Sequence, residues 1–119
     1  SKDEYFSFRQ IDSLLQGHPM PKVPWVEVSS WSLWQWLSVA NWIAMWIKLD
    51  KKENKVFTLL WDWELQEWQV WEAAMSAGHY KTDNLVAIVD KNWLQIDWNT
   101  SDVMNVWDIS EKFKSFWWE

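Results

Sequence analysis

The stretch Trp61-Asp-Trp-Glu-Leu-Gln-Glu-Trp-Gln-Val-Trp-Glu72 decides how this chain is read. Ahead of it, Val56-Phe-Thr-Leu-Leu60 is a short β-branched and apolar run, the pattern of a fully buried strand. Behind it, Val70 to Ala77 is rich in good helix formers. A strand, a tight acidic turn and a helix make the α/β unit that sets polar groups at the carboxyl edge of a parallel sheet. Asp62 is the second residue past the strand, so its carboxylate is expected to point out of that edge. The plainer alternative is that Asp62 and Glu64 only cap the helix.

A chain of 119 residues is one domain or part of one. Hydrophobic residues at 49% supply a core, and 24% charged residues are ordinary for a soluble protein. The net charge of −6 argues against a nucleic-acid partner, since few cations are left to neutralise phosphates. With no cysteine there are no disulfides, which fits a cytoplasmic location. Ser1-Lys-Asp-Glu-Tyr5 lacks the basic-then-apolar pattern of a secretion signal. Two counts are abnormal: Gly is 2 and Trp is 15. An α/β fold with so little glycine has few ways to make its tight βα turns.

With glycine at 61, 63 and 68, the central stretch becomes Gly-Asp-Gly-Glu-Leu-Gln-Glu-Gly-Gln-Val-Trp-Glu. This resembles the thiamine diphosphate motif of transketolase, in the form found in its separate N-terminal subunits. A second motif lies in Val26-Glu-Val-Ser-Ser-Trp-Ser-Leu-Trp-Gln-Trp-Leu37, and a third in Asp90-Lys-Asn-Trp-Leu-Gln-Ile-Asp-Trp98. The resemblance covers nearly the whole chain, with its three motifs in family order. It implies that Asp62 and Asn92, with the carbonyl of Leu94, hold a divalent metal (Mg2+, or Ca2+ or Mn2+) that holds the cofactor's diphosphate. A hard cation takes oxygen ligands and shares them with phosphate, and Asn92 could otherwise be a plain turn former. The positions of Trp31, Leu33 and Trp63 are implied to touch the cofactor. In Gly17-His-Pro19 the resemblance makes His18 the residue that meets the donor sugar, as a substrate contact or proton shuttle. A lone His in a Pro-rich loop is otherwise usually just exposed.

Trp25, Trp31, Trp34, Trp36, Trp42, Trp61, Trp63, Trp68, Trp93, Trp98 and Trp117 all fall where the family has Gly, and Trp46 is placed with them. Trp71 and Trp118 match the family as Trp, and Trp107 has no assignment. Such a one-for-one exchange is not a physical design. The hypothesis that accounts for it is a source that reads UGA as glycine, translated with a table that makes it Trp. A deliberately substituted chain and a chance resemblance are the competing explanations.

In chain order, residues 3 to about 15 read as a short amphipathic helix with Tyr5, Phe8, Ile11 and Leu15 on one face. Pro19, Pro21 and Pro24 keep the following segment extended. A helix then runs to about Leu49. Trp31 to Ile47 carries no charge but falls short of the roughly 20 residues that a span needs, so a buried helix is expected and no membrane partner. Gly78 suits the turn that ends the central helix, and His79 reads as structural. Asn84 to Asp90 is a second buried strand, in a βαβ unit with the first. A final helix is expected from Ser101 or Asp102 to about Phe116. The resemblance places further family sequence before and after this chain, and sets Glu67 and Glu72 near the subunit contact.

The expectation is therefore an incomplete diphosphate-binding domain spanning 1–119, of α/β class, a parallel sheet with helices on both faces. The resemblance implies a transferase, dependent on thiamine diphosphate and metal, that moves a two-carbon ketol unit from a ketose phosphate to an aldose phosphate. The cofactor supplies the chemistry and the protein the placement and electrostatics. It also implies a partner, a C-terminal pyrimidine-binding subunit or domain, in a homo- or hetero-oligomer. Without that partner the chain is expected to be inactive. The alternatives are a Trp-rich binding module that engages sugars or a membrane interface through exposed indoles, and a cofactor-incompetent scaffold.

Overall fold

In the computed structural model the described residues are 6–18, 20–24, 26–28 and 33–119. The chain divides into two compact units, Ser1–Ser32 and Leu33–Glu119. Trp25 and Trp31 lie outside the described residues.

In the first unit the expected amphipathic helix is absent over residues 6–15. That segment is a series of turns, with Arg9 and Asp12 at φ 61° and 64°. Its closures are local: the Arg9 amide donates to the Leu15 carbonyl at 2.9 Å, and the Gln16 side chain donates to Ser13 O at 2.9 Å. The apolar stripe is real in sequence, but Phe8 and Ile11 are exposed. A short helix without a packed face does not support itself.

The second unit is built on α1 (Trp36–Leu49), β1 (Val56–Trp61), α2 (Trp68–His79) and β2 (Leu85–Asp90). β1 and β2 pair in parallel, Val56 opposite Leu85 through Trp61 opposite Asp90. α/β class and parallel pairing are as the sequence implies. Side chains alternate across a sheet, and Thr58 and Leu60 are buried beneath α1, which packs on α2. On the opposite face Phe57, Leu59 and Ile88 are exposed. The reading of both strands as fully buried thus fails for one face, because among the described residues the helices stacked on this sheet cover the other. The buried-helix reading of α1 is corrected in the same way. Leu37, Ala40, Asn41 and Ala44 face the core, while Trp42 and Trp46 are exposed.

After β2 the chain forms a hairpin that periodicity did not reveal, β3 (Leu94–Gln95) with β4 (Trp98–Asn99). The single expected final helix is two, α3 (Thr100–Met104) and α4 (Ile109–Lys114). The break falls at Asn105 to Asp108, where Asn105 Oδ1 accepts the Trp107 amide at 2.7 Å and Asp108 Oδ1 accepts the Glu111 amide at 3.1 Å. Asn and Asp offer the backbone these local bonds in place of helix. α2 continues through Gly78, whose φ is not positive. Gly78 is needed for space instead, since a Cβ there would run into the Phe116 carbonyl oxygen. No helix among the described residues is long and apolar enough to cross a membrane.

The described indoles differ in burial and in backbone conformation. Trp71 and Trp118 are half-buried against the core and each packs on Phe113 at 5.3 Å. Both indole N–H groups are satisfied, Trp71 donating to Leu65 O at 2.9 Å and Trp118 to Ala74 O at 3.0 Å. Trp36 also packs on the core, but its Nε1 is buried without a partner. Trp93, Trp107 and Trp117 are exposed and sit at φ 63°, 49° and 64°, a region that costs any residue with a Cβ. Trp42, Trp46, Trp68 and Trp98 are exposed.

Candidate functional site

β1 ends at Trp61 and the chain turns into a 3-10 segment, Asp62–Gln66, before α2. Because Trp61 lies opposite Asp90, the residues after both strands emerge at one carboxyl edge. Asp62 and the loop 91–93 are thereby neighbours. Asp62 is fully buried; its Oδ2 accepts the Trp93 amide at 3.0 Å and the Thr100 hydroxyl at 3.3 Å. Its Oδ1 is buried and has no hydrogen-bond partner. A buried carboxylate oxygen left unpaired is costly, and a cation is one group that would complete it.

Asn92 is half-buried at the same edge. Its Oδ1 accepts the Leu94 amide at 2.9 Å, and its Nδ2 lies 3.4 Å from Asp90 Oδ2. The turn-former role weighed for Asn92 is thus present. Leu94 opens β3, opposite Asn99. Among the described residues no three His, Cys, Asp or Glu side chains converge as a metal cluster. A cation here would rest on one carboxylate and neutral oxygens, a donor set that suits a hard ion also held by phosphate.

Trp63 is half-buried within the same turn. The backbone of Leu33 lies in a short 3-10 turn, Leu33–Gln35, that packs beside the 62–66 turn, so two of the three motifs meet there in addition to the 91–94 loop. Trp31 lies outside the described residues. His18 is exposed within the first unit. Glu67 and Glu72 are exposed. His79 is exposed and stands edge-on to Tyr80 at 4.8 Å.

Glu64 is fully buried, and its Oε2 accepts the Trp61 amide at 2.7 Å, closing the turn that holds Asp62. Glu64 thus caps the 3-10 segment, while α2 itself starts after Glu67 with no side-chain cap, so neither Asp62 nor Glu64 caps that helix. Burial pushes its carboxyl up from 4.5 to about 7, against the opposing pull of the Trp61 amide. A folded-state pKa raised above the unfolded one gives a contribution present in full below about 4.5 and lost as pH rises through about 7. Glu64→Gln keeps an acceptor for Trp61 and removes the ionisation. The variant is expected to gain stability over the parent at pH 8 and to match it at pH 4, measured by urea unfolding at both pH values.

Sequence reasoning missed Thr100 and the Gln66 contacts. Gln66 Nε2 donates to Gln95 Oε1 at 3.0 Å and to Met104 O at 2.8 Å, tying the turn to β3 and α3. The only available signal was Asn99-Thr-Ser-Asp102, a polar run of the kind that opens a helix.

Residues 1–119 match the model of the transketolase, thiamine diphosphate binding domain family. The chain belongs to this family. It is 41% identical over 110 residues to an apulose-4-phosphate transketolase subunit of Phocaeicola vulgatus, covering 92% of this chain and 39% of that protein. It is 47% identical over 92 residues to Homo sapiens transketolase, covering 76% of this chain and 15% of that protein. The crystal structure of Campylobacter jejuni transketolase superposes with a TM-score of 0.80 at 28% identity, over 98% of this chain and 19% of that one. The chain thus spans about two fifths of the length of the Phocaeicola vulgatus relative. Within a transketolase-type fold, the carboxyl edge that carries Asp62 is where an α/β sheet receives its ligand.

Proposed function

We propose that this chain, over residues 1–119, supplies part of the diphosphate and cation site of a thiamine diphosphate-dependent transketolase. The observation that carries this is Asp62 Oδ1, buried and unpartnered at the carboxyl edge beside the 91–94 loop. Asp62 and Asn92, with the Leu94 carbonyl, would hold Mg2+ or a similar ion such as Ca2+ or Mn2+. The positions of Trp31, Leu33 and Trp63 would border the cofactor. Bound thiamine diphosphate would supply the electron-accepting chemistry for moving a two-carbon ketol unit between sugar phosphates. The chain's own residues would fix the diphosphate, exclude water and, through His18, contact the donor sugar. The proposed partner is a pyrimidine-binding subunit or domain, in a cytoplasmic dimer or larger oligomer serving pentose phosphate metabolism. Relatives that are each named as one subunit of an apulose-4-phosphate transketolase support a separate partner.

The glycine reading belongs to the same proposal. Trp61 and Trp63 flank Asp62 in the sequence, where a diphosphate needs bare backbone. The left-handed backbone at Trp93 and Trp117 supports glycine there, and the same conformation extends that reading to Trp107. The satisfied, packed indoles of Trp71 and Trp118 support tryptophan at those two positions. The codons at 61, 63, 68 and 107, compared with those at 71 and 118, test it directly. UGG at all six would leave a cofactor-incompetent scaffold as the reading.

His18→Ala is expected to weaken donor-sugar use by about 100-fold, in the range of a lost proton-transfer group. Cofactor affinity should change little. Steady-state kinetics with parental donor parameters would reduce His18 to a loop residue.

A further inference from the structure

The geometry points to Thr100 as a positioning residue that locks the Asp62 carboxylate with one oxygen turned toward the cation; this rests on the reading of Asp62 as a cation ligand. Thr100 is 1% exposed, so its hydroxyl has no access to water and needs a partner within the protein. That partner is Asp62 Oδ2, at 3.3 Å. The same oxygen takes the Trp93 amide at 3.0 Å, and the Thr100 amide in turn donates to the Trp93 carbonyl at 3.0 Å. Asp62, Trp93 and Thr100 thus form a closed triangle joining the end of β1, the loop after β2 and the start of α3.

Both donors fall on Oδ2, and Oδ1 is left buried and bare. Rotation of a carboxylate about its terminal torsion is soft, so an unrestrained Asp would swing its plane and turn its lone pairs away from a fixed cation position. Two donors on one oxygen remove that freedom and keep the other lone pairs for a ligand. The arrangement has the logic of groups behind a metal site that orient the ligands themselves, whose loss usually weakens metal binding about 10–100-fold. A structural alternative is that Thr100 only anchors the start of α3, as its amide bond to Trp93 does. That role needs the backbone and the side-chain volume, not the hydroxyl.

The test is Mn2+ binding to the full-length protein with thiamine diphosphate, read from the electron paramagnetic resonance signal of free Mn2+. Thermal unfolding is followed in parallel. Thr100→Val keeps volume and removes the hydroxyl, and Thr100→Ala removes it without risk of crowding. Whichever folds is expected to bind Mn2+ about 10–100-fold more weakly, while Thr100→Ser stays within about threefold of the parent. Parental affinity in the folded Val or Ala variant overturns the inference, as does a Ser variant as weak as Val. Asp62→Ala separates the two levels. If it binds Mn2+ like the parent, the cation reading itself is wrong. If it loses binding while Thr100→Val keeps it, only the role of Thr100 falls.

Discussion

Replacing Trp93, Trp107 and Trp117 with glycine is expected to raise the thermal unfolding midpoint by on the order of 10 °C. Each of the three holds a left-handed backbone, at φ 63°, 49° and 64°. A side chain with a Cβ costs about 1–2 kcal/mol there, and glycine relieves it. The indoles return little of that cost. Lys91 lies 4.2 Å from the Trp93 ring and Lys112 5.3 Å from the Trp107 ring, but all three indoles are exposed. Exposed cation–π pairs contribute only about 0.5–1 kcal/mol. A net gain of about 2–4 kcal/mol is large beside the about 5–15 kcal/mol that holds a typical domain together. The same substitution at Trp71 or Trp118 should do the opposite and cost about 3–5 kcal/mol, since it empties a packed site on Phe113. Differential scanning calorimetry of the triple variant and the two single ones reads both signs. A triple variant no more stable than the parent would remove the structural case for glycine at these positions.

Asp62→Ala is expected to abolish most cation-dependent thiamine diphosphate binding, a loss of at least about 100-fold, beyond what oriented second-layer groups usually contribute. Asp62 Oδ1 is buried with no protein partner, and the Trp93 amide holds its carboxylate beside the 91–94 loop. Glu64 Oε1 is also unpartnered, but that carboxyl is bonded back to the Trp61 amide and pushed up to about 7 by burial. Ala also strands two donors, the Trp93 amide and the Thr100 hydroxyl, at about 1–3 kcal/mol each, so the fold itself will weaken. Asp62→Asn keeps an acceptor for them and removes the charge. Titration calorimetry with and without Mg2+ should show both variants losing the Mg2+-dependent component, and Asn retaining the parental unfolding midpoint more closely. Cofactor affinity unchanged in both would end the site assignment.

Sequence alone determined the βαβ frame and the edge that carries the candidate site. Val56 to Leu60 and Asn84 to Asp90 are short apolar runs around a helix-forming segment, and local preference with hydrophobic pattern fixes such elements. Parallel pairing then carries Asp62 and Asn92 to one edge without further information. The family motifs added the chemistry expected there. Tertiary structure alone decided which lone pair stays free. Thr100 lies 38 positions beyond Asp62 in sequence, and no periodicity links a helix-opening threonine to a carboxylate so far away. The same holds for the tryptophans. Composition showed an excess, and the family pattern left Trp107 unassigned. Only the backbone torsion and the packing separate an indole with a satisfied N–H from one held in a conformation suited to glycine. The failed helix at residues 6–15 has the matching cause: an apolar stripe is written locally, but whether anything covers it is settled by the rest of the molecule.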